Sequence, residues 1–324
     1  MVEEAAHAVV PSEWDPRRFR YVAMLQEAPR NNGRVELLED SQTGRLVAAK
    51  TMPISWVCES HEAFLTAHPE ENELPWRDIY TTYYLSKTAG LECVCDFVGL
   101  FLRRGEAGPE VSFVLSYCSG GDLFSWLERS IPLVGASREA ASRPLMRSVF
   151  QAVGEIHTQG VAHGDLSLEN VLLFSEAEEN ALPASAEIRI IDFAASTGSR
   201  ASGLRGKPSY QAPEVHSEAE YDAKTADVFS LGVMLFTLAV GNYPWRSTRP
   251  HVCPCFRYAA DRGLPAYLAR RKIRGNGDEQ VTLAALLSPE LVSLLTGLLS
   301  IEISTRLPLQ AALEHPWFEE DRPP

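Results

Sequence analysis

The sequence has few basic residues for its size. Its 324 residues include 30 Lys and Arg against 43 Asp and Glu, which gives a formal net charge of −13. Nucleic acids and anionic membranes attract proteins through surfaces rich in Lys and Arg. The charge balance therefore disfavours both of these partners and is compatible with a basic protein substrate.

Long apolar runs are also missing. The most apolar stretch, residues 228–240, is shorter than the roughly 20 residues that a membrane-spanning helix needs. Residues 1–11 lack the basic region followed by an apolar core that is typical of a signal peptide. We therefore expect no membrane span and no signal peptide here, and we expect a buried helix at residues 228–240.

Cysteine is sparse, at six residues. Four of the six form two C-x-C pairs, and neither pair has the two-residue spacer that is usual for zinc ligands. Zinc at Cys253, Cys255 and the nearby His251 stays open as an alternative. Reduced thiols in a cytosol-like compartment fit the pattern better.

The rest of the composition is that of an ordinary globular protein. Apolar residues make up 45% and charged residues 23% of the chain, so disorder is not expected, and the length suits two lobes or domains. Short apolar runs predict strands, and Leu145, Val149, Val153 and Ile156 recur at helical spacing and predict a core helix. The predicted strands are residues 20–25, 35–38, 46–50 and 111–115.

The densest group of candidate functional residues is the segment His163-Gly164-Asp165-Leu166-Ser167-Leu168-Glu169-Asn170. Its spacing, H-x-D-x-x-x-x-N, places the carboxylate of Asp165 and the carboxamide of Asn170 on one tight loop. The apolar run 188–191 delivers a further carboxylate, Asp192, from a strand end. This set indicates phosphoryl transfer, in which Asp165 orients the attacking hydroxyl and accepts its proton. Asn170 and Asp192 would hold the Mg²⁺ that neutralises charge on the phosphate, whereas an isolated H-x-D would be a loop carboxylate.

Motifs along nearly the whole chain, from about residue 21 to residue 318, resemble those of the protein kinase superfamily. Val47-Ala48-Ala49-Lys50 resembles the V-A-I-K of the family's third strand, and residues 206–214 resemble the G-T-P-x-Y-x-A-P-E that closes the activation segment. Further along the chain, residues 227–232 resemble the buried anchor helix. Arg306 resembles the partner of the A-P-E glutamate, and the four segments follow the order of the family.

The resemblance implies a fold, a division of the chain and an activity. The fold would be α+β and bilobal, protein-kinase-like, with a small β-rich N-lobe and a larger helical C-lobe. An N-terminal extension would span residues 1–18, the N-lobe 19–116 and the C-lobe 117–320. The implied activity is that of a protein serine/threonine kinase, which transfers the γ-phosphate of ATP, with Mg²⁺ or Mn²⁺ as cofactor, to a protein hydroxyl.

Lys50 is implied to pair with the α- and β-phosphates of ATP. A buried strand that ends in a solvated lysine is the other interpretation. The helix predicted at residues 76–87 carries Asp78 roughly where the family places the glutamate that pairs with this lysine. Asp is one methylene shorter, so Asp78 either pairs with Lys50 or is a first-turn residue favoured by the helix dipole. The connection 51–75 before it is longer than is usual in kinases.

The resemblance also implies a set of nucleotide-binding residues. Leu115 would be the gatekeeper, and Ser116 and Cys118 would offer backbone groups to adenine. Asp122 could bind ribose or cap a helix, because both roles need the same residue type. The full predicted set is Val35, Ala48, Lys50, Asp78, Leu115, Ser116, Cys118 and Asp122.

Some family features are absent. Of the glycine-rich loop G-x-G-x-x-G-x-V, only Gly33 and Val35 match, so Arg30 or Arg34 would supply charge to the phosphates, or would belong to a solvated basic turn. Ala194 also replaces the flexible Gly that follows Asp-Phe in the family. Because of these missing glycines, a pseudokinase that acts as a scaffold stays an alternative. The His-Gly-Asp form is shared with small-molecule phosphotransferases of the aminoglycoside type, which is a further alternative.

The same departures resemble the divergent apicomplexan FIKK kinases. The missing loop, the long segment with Trp56 after the lysine strand, and a hydroxyl residue two positions after the catalytic Asp are similar to that group. The Phe-Ile-Lys-Lys that names the group is absent, and Val47-Ala48-Ala49-Lys50 stands there instead.

Two residue types have changed places relative to Ser/Thr kinases. There, a Lys two residues after the catalytic Asp contacts the γ-phosphate and faces a Thr in the substrate-side loop, whereas this chain has Ser167 and Lys207. We predict that Lys207 is a catalytic residue that returns the ammonium from the opposite side, with Ser167 as its acceptor. A solvated loop lysine next to a small filler is the alternative.

Overall fold

The computed structural model describes residues 8–105, 108–129, 134–174, 187–274 and 279–319. For Arg30 it describes only the backbone. The chain divides into two compact units, residues 1–119 with 189–196, and residues 120–188 with 197–324. The start of the predicted N-terminal extension, residues 1–7, and the end of the predicted C-lobe, residue 320, lie outside the described residues.

The first unit is built on one six-stranded sheet. The strands are Ser12–Glu13 (β1), Phe19–Ala28 (β2), Gly33–Asp40 (β3), Arg45–Pro53 (β4), Phe97–Gly105 (β5) and Gly108–Ser116 (β6). They lie in the order β1-β5-β6-β4-β3-β2, and all neighbouring pairs are antiparallel except the parallel pair of β1 and β5. The four strands predicted from sequence fall within β2, β3, β4 and β6, so these predictions are confirmed.

Alternation of buried and exposed side chains explains why these segments form a sheet. On β3 and β4, every second side chain is buried, among them Leu38, Val47 and Ala49. They pack with Phe19 and Phe101 on one face of the sheet. A side-chain period of two is what a strand with one covered face requires.

The edge strand β1 was not predicted. It pairs with β5 through Ser12 and Glu13, and the Trp14 ring that follows stacks on Phe19 at 4.6 Å between centroids. Trp14 also meets Phe101 edge-on at 5.9 Å. Part of the segment that the sequence assigned to an N-terminal extension therefore belongs to the sheet.

The described part of the first unit also contains the helices Ile54–Val57 (α1), His61–Ala67 (α2) and Pro75–Tyr83 (α3). The helix predicted at residues 76–87 is α3 continued by a π-helical turn, Tyr84–Thr88. The long connection before it is partly helical, because Ser60 caps α2 by accepting from the Ala63 amide at 3.1 Å. Phe64 of α2 is buried in the core cluster that Ile79 of α3 shares.

The second unit is mainly helical. Its helices are Leu123–Arg129 (α4), Ala136–Thr158 (α5), Ala223–Val240 (α6), Pro254–Arg262 (α7), Leu264–Arg270 (α8), Leu283–Leu286 (α9), Pro289–Leu298 (α10) and Leu309–Leu313 (α11). Its short strands are Val171–Leu173 (β7), Arg200–Ala201 (β9), Tyr221–Asp222 (β10), Lys272–Arg274 (β11) and Gln280–Thr282 (β12), while Ile188–Ile190 (β8) begins in this unit and ends in the first. The apolar positions predicted at helical spacing, Leu145 to Ile156, are buried on α5, which confirms that prediction.

The most apolar helix of the described chain is α6. It starts five residues earlier than the apolar stretch, because Asp222 caps it by accepting from the Thr225 amide at 2.7 Å. With 18 residues, α6 is long and apolar enough to cross a membrane. The expectation that the apolar segment is too short to do so was therefore wrong. However, 83% of α6 is buried inside the protein. We conclude that α6 is a core helix of the second unit, as its apolar composition predicted.

Candidate active site

The segment 163–170, the catalytic loop, is anchored by a buried carboxylate on α6. Asp227 accepts from the main-chain amides of His163 at 2.7 Å and Gly164 at 2.9 Å, and its Oδ2 lies 2.9 Å from His157 Nε2. Gly164 has φ = 77°, a left-handed conformation that favours glycine. The backbone before Asp165 is therefore held from the core side, without any side chain at residue 164.

Asp165 is oriented by donors on both of its sides. The Lys207 amide donates to Asp165 Oδ1 at 3.0 Å. Asn170 Nδ2 donates to the Asp165 carbonyl at 2.8 Å and approaches Oδ2 at 3.3 Å. The carboxylate can therefore face an incoming hydroxyl in one fixed orientation.

The approach of Lys207 to Asp165 depends on Gly206. This glycine has φ = 76°, and a Cβ at its position would lie 2.8 Å from the Gly164 carbonyl oxygen and 3.1 Å from Asp165 Oδ1. Both the backbone conformation and the lack of space exclude a side chain there. Gly206 thus allows the loop 206–214 to reach the candidate base.

Lys207 and Ser167 are in contact. Lys207 Nζ donates to Ser167 Oγ at 2.8 Å and lies 3.3 Å from Glu169 Oε2. The contact predicted for the exchanged pair is thus present in the structure. The catalytic role of Lys207 stays a prediction.

In the first unit, Lys50 on β4 lies between two carboxylates. Its Nζ is 2.8 Å from Asp78 Oδ2 on α3 and 3.5 Å from Asp192 Oδ1. Burial alone would lower the pKa of Lys50, but the Asp192 and Asp78 carboxylates raise it above its ordinary value, so the ammonium stays charged. The pairing of Lys50 with Asp78, which the sequence left open, is present.

The shorter side chain of Asp78 reaches Lys50 because α3 packs closely on the segment after Asp192. Asp78 Oδ1 accepts from the Phe193 amide at 2.8 Å, while its Oδ2 contacts Lys50. The Leu74 amide just before α3 also donates to the Ala194 carbonyl at 3.0 Å. Burial raises the pKa of Asp78, and the nearby Lys50 ammonium opposes that rise.

Asp192 has the left-handed backbone conformation φ = 67° and ψ = 71°. This conformation is uncommon outside glycine, and Asp and Asn are among the residues that tolerate it. The Phe193 side chain that follows is buried, whereas the Asp192 side chain keeps 41% of its exposure. The turn therefore buries the aromatic ring and leaves the carboxylate accessible.

The predicted adenine-site residues of the first unit lie on neighbouring strands. Val35 is paired with Lys50 across β3 and β4, and Ala48 is paired with Leu115 across β4 and β6. The Ser116 amide donates to the Asp96 carbonyl at 2.9 Å, so this residue could offer adenine its carbonyl oxygen.

Cys118, two residues further on, is buried. Its Sγ lies 3.7 Å from Cys95 Sγ. None of the six cysteines forms a disulfide, and within the described residues no group of three or more His, Cys, Asp and Glu side chains could hold a metal ion.

Asp122, at the start of the second unit, caps α4. Its Oδ1 accepts from the Ser125 amide and its Oδ2 from the Ser125 hydroxyl, both at 2.8 Å. The helix-cap role is therefore present. The ribose contact stays a prediction.

The turn between β2 and β3 differs from a glycine-rich loop. It is a short 3₁₀ turn, Pro29–Asn31, followed by Asn32 in the left-handed conformation, and the Gly33 amide donates to Asn31 Oδ1 at 2.9 Å. The Arg34 guanidinium donates to both carboxylate oxygens of Glu110, at 2.8 Å in each case. Arg34 is therefore ion-paired with Glu110, and a role for its charge at the phosphates stays a prediction. The Arg30 side chain lies outside the described residues.

The end of the activation segment is fixed by a buried ion pair. Arg306 Nη2 donates to Glu214 Oε2 at 2.9 Å, and both side chains are buried. Arg306 Nη1 also donates to the Thr225 carbonyl at 3.1 Å. The partner that the resemblance assigned to the A-P-E glutamate is thus the partner observed.

Several residues that shape the site were not found by sequence reasoning. The roles of His157, Gly206 and Glu169 depend on contacts between segments that are far apart in the chain, so the sequence around each residue does not show its partner. Gly206 had a usable signal, since it directly precedes the exchanged Lys207, and a glycine next to a catalytic loop marks a close backbone approach.

Comparison with known proteins places these motifs in a family. The sequence model of the protein kinase domain matches residues 31–318. The chain is 31% identical over 217 residues to CBL-interacting protein kinase 29 of Oryza sativa subsp. japonica, which covers 65% of this chain and 41% of that protein. It is 28% identical over 218 residues to CBL-interacting serine/threonine-protein kinase 14 of Arabidopsis thaliana (65% and 42%). It is 30% identical over 217 residues to serine/threonine-protein kinase chk1 of Schizosaccharomyces pombe (65% and 38%).

The chain spans about two fifths of the length of these relatives. They do not test the resemblance to apicomplexan FIKK kinases, which stays a prediction. The family match covers most of the chain, and a β-rich first unit and a helical second unit give the α+β fold that the motifs implied. This chain belongs to the protein kinase family.

Proposed function

We propose that this chain is a protein serine/threonine kinase that transfers the γ-phosphate of ATP to a hydroxyl group of a protein substrate. The observation that carries the proposal is the fixed orientation of Asp165, whose carboxylate is held by the Lys207 amide and the Asn170 carboxamide. A carboxylate held in this way can orient a hydroxyl and accept its proton as the new bond to phosphorus forms. Similarity to relatives named as serine/threonine-protein kinases supports the choice of acceptor.

Protein kinases generally use ATP together with Mg²⁺, and the residues present fit that use. Mg²⁺ prefers oxygen ligands, and Asn170 and Asp192 supply a carboxamide and a carboxylate. Asn170 directs its amide hydrogens to Asp165, which leaves its carbonyl oxygen as the acceptor atom. Asn170 and Asp192 are the residues that would hold Mg²⁺, or Mn²⁺ in its place. The ion would neutralise negative charge on the phosphates.

Lys50 is the proposed phosphate-binding cation. Its pairing with Asp78 fixes the position of the ammonium, and its raised pKa keeps the charge at all physiological pH values. Val35, Ala48 and Leu115 are proposed to line the adenine site. Ser116 and Cys118 are proposed to contact adenine through their backbone, and Asp122 is proposed to bind ribose while it caps α4.

A protein substrate is favoured over a small molecule. The segment 206–214, which resembles the substrate-side loop of protein kinases, is fixed at its end by the buried pair of Glu214 and Arg306. The net charge of −13 favours substrates with basic residues around the acceptor hydroxyl. For the location of the protein we propose the cytoplasm, or delivery by a signal outside this chain. We also propose that the N-terminal extension ends at residue 18, the N-lobe at residue 116 and the C-lobe at residue 320.

A pseudokinase scaffold is the second candidate. The observation that favours it is the turn at Pro29–Asn31, which replaces the glycines that would bring backbone amides to the phosphates. The presence of Lys50, Asp165, Asn170 and Asp192 argues for an enzyme.

One experiment separates the candidates. The protein is incubated with γ-labelled ATP, Mg²⁺ or Mn²⁺, and either a peptide library or a panel of small-molecule alcohols, with Asp165→Asn as the negative control. Label on Ser or Thr peptides is expected for the wild type and is absent in the control. Label on a small molecule alone would contradict the choice of substrate. Nucleotide binding without any transfer would favour the scaffold.

A further inference from the structure

Lys207 contacts the catalytic loop through both its backbone and its side chain, and the roles proposed above use only the backbone contact. Its amide donates to Asp165 Oδ1 at 3.0 Å, and its ammonium donates to Ser167 Oγ at 2.8 Å. The side chain therefore lies along the loop that carries the proposed base, and its ammonium contacts Ser167, which is two residues after Asp165 in the chain.

A solvated surface lysine would not be held in this way. Ser167 is fully buried, at 0% exposure, and a buried hydroxyl needs a hydrogen-bond partner, which Lys207 Nζ provides. The ion pair with Glu169 is the weaker restraint, because the Lys207 and Glu169 side chains keep 39% and 36% of their exposure. The contact with Glu169 is also longer than the hydrogen bond to Ser167, at 3.3 Å against 2.8 Å, so a phosphate can compete with Glu169 for the ammonium.

We propose that Lys207 is a catalytic residue whose ammonium contacts the phosphoryl group while it is transferred. The inference rests on the proposed kinase function and adds a residue to it. A hydroxyl that is hydrogen-bonded to Asp165 receives the phosphoryl group next to that carboxylate, and Lys207 contacts the loop that carries Asp165. Negative charge spread over the equatorial oxygens in the transition state is stabilised by a cation fixed in place beforehand.

Each group in this step has a defined fate. The bond between the γ-phosphorus and the bridging oxygen of ATP breaks and its electron pair stays with ADP, while the bond to the substrate oxygen forms. The hydroxyl proton passes to Asp165. Lys207 keeps its protons throughout, and Ser167 acts as a positioning residue that accepts a hydrogen bond from Lys207 and fixes the ammonium.

The first test is the variant Lys207→Met, which is close to lysine in shape and carries no charge. The hydrogen bond to Asp165 comes from the Lys207 backbone, so the substitution leaves it in place. We expect kcat to fall by about 10²-fold while KM for ATP stays near the wild-type value. The matched control is Lys272→Met, which removes an exposed lysine from β11 and should leave kcat unchanged.

A second readout does not depend on turnover. ADP with Mg²⁺ and aluminium fluoride imitates the phosphoryl group in transfer, so the wild type should bind ADP more tightly when fluoroaluminate is present. Lys207→Met should lose this gain while its affinity for ADP alone is unchanged. The exchange variant Ser167→Lys/Lys207→Thr returns an ammonium to the site and is expected to recover part of kcat.

The outcomes divide clearly. Transfer by the wild type together with a near wild-type kcat in Lys207→Met would overturn this inference and leave the kinase function standing. A fall in kcat accompanied by lower ADP affinity and a lower Tm would assign Lys207 a structural role and would also overturn it. A wild type that transfers no phosphate would overturn both proposals.

Discussion

At the residue scale, the site depends on hydrogen bonds between main chain and side chain. The Asp227 carboxylate accepts hydrogen bonds from the main-chain amides of His163 and Gly164, and the Asp165 carboxylate accepts one from the amide of Lys207. A substitution at Asp227 would therefore disturb Asp165 without touching it. The candidate base itself can be replaced with little effect on this framework, because the loop backbone is anchored at residues 163 and 164.

Asp165→Asn is expected to abolish phosphoryl transfer and to leave nucleotide affinity nearly unchanged. The carboxylate acts on the substrate hydroxyl, and an amide of the same size cannot accept its proton. Turnover on a peptide and ATP binding by calorimetry are measured in parallel, with the exposed Asp261→Asn as a control. Loss of ATP binding in Asp165→Asn would contradict the assignment of this residue.

Asp192→Asn should weaken nucleotide binding only when Mg²⁺ is present. The change removes a negative charge that is a proposed metal ligand and lies 3.5 Å from Lys50. ATP affinity is compared with and without Mg²⁺ for the wild type and the variant. If the Mg²⁺-dependent part of the affinity is the same in both, Asp192 is not a metal ligand.

At the element scale, α6 and the segment 206–214 are fixed by the buried pair of Arg306 and Glu214. Arg306→Ala leaves the Glu214 carboxylate buried without this partner, so we expect the free energy of unfolding to fall by about 3–5 kcal/mol. Chemical denaturation measures the loss, and the exposed Arg262→Ala on α7 is the matched control, expected to stay within about 0.5 kcal/mol of wild type.

The double variant Arg306→Ala/Glu214→Gln removes the unpaired charge as well. It should be more stable than Arg306→Ala alone, because a neutral amide is easier to bury than a carboxylate. A loss below about 1 kcal/mol in Arg306→Ala would show that solvent reaches the pair and that the burial argument fails.

The activation segment is expected to work without phosphorylation. Kinases that are switched in this way generally carry an Arg directly before the catalytic Asp, where it pairs with the added phosphate, and Gly164 has no side chain to do so. Among the Ser and Thr residues that follow Ala194, Thr197, Ser199 and Ser202 are at least partly exposed, whereas Ser196 is buried with its Oγ 3.1 Å from Thr81 Oγ1. Phosphatase treatment should leave turnover unchanged, and loss of most activity would refute the idea.

The elements that could be predicted from sequence are those with a local pattern. Short apolar runs predicted β3 and β4, and helical spacing predicted α5. The two residues of β1 have no such pattern, because their strand exists only through pairing with β5, about 90 residues away. The same holds for the site, where motif spacing identified Asp165 and Asn170, while the backbone contact from Lys207 crosses 42 residues and leaves no signature in side-chain types.

At the scale of the whole molecule, the excess of negative charge should govern substrate encounter. With a net charge of −13, association with a basic peptide is accelerated at low salt and screened as salt rises. We expect kcat/KM for a basic peptide to fall between about 0.01 M and 0.15 M salt, since the Debye length shrinks over this range. A peptide of the same length with neutral flanks is the control, and equal salt dependence of the two would argue against steering by charge.

The strand β1 and its neighbour β2 matter to anyone who produces this protein in pieces. The family match begins at residue 31, after β2 has ended, so a recombinant chain cut to residues 31–318 would lack two of the six strands. It would also lose Phe19, which packs in the core with Leu38 and Phe101. The bared edge of β3 would then be a template for pairing with other copies. A chain cut to the extent of the family match, residues 31–318, should precipitate. A chain that begins at residue 8 keeps all six strands and should remain in solution.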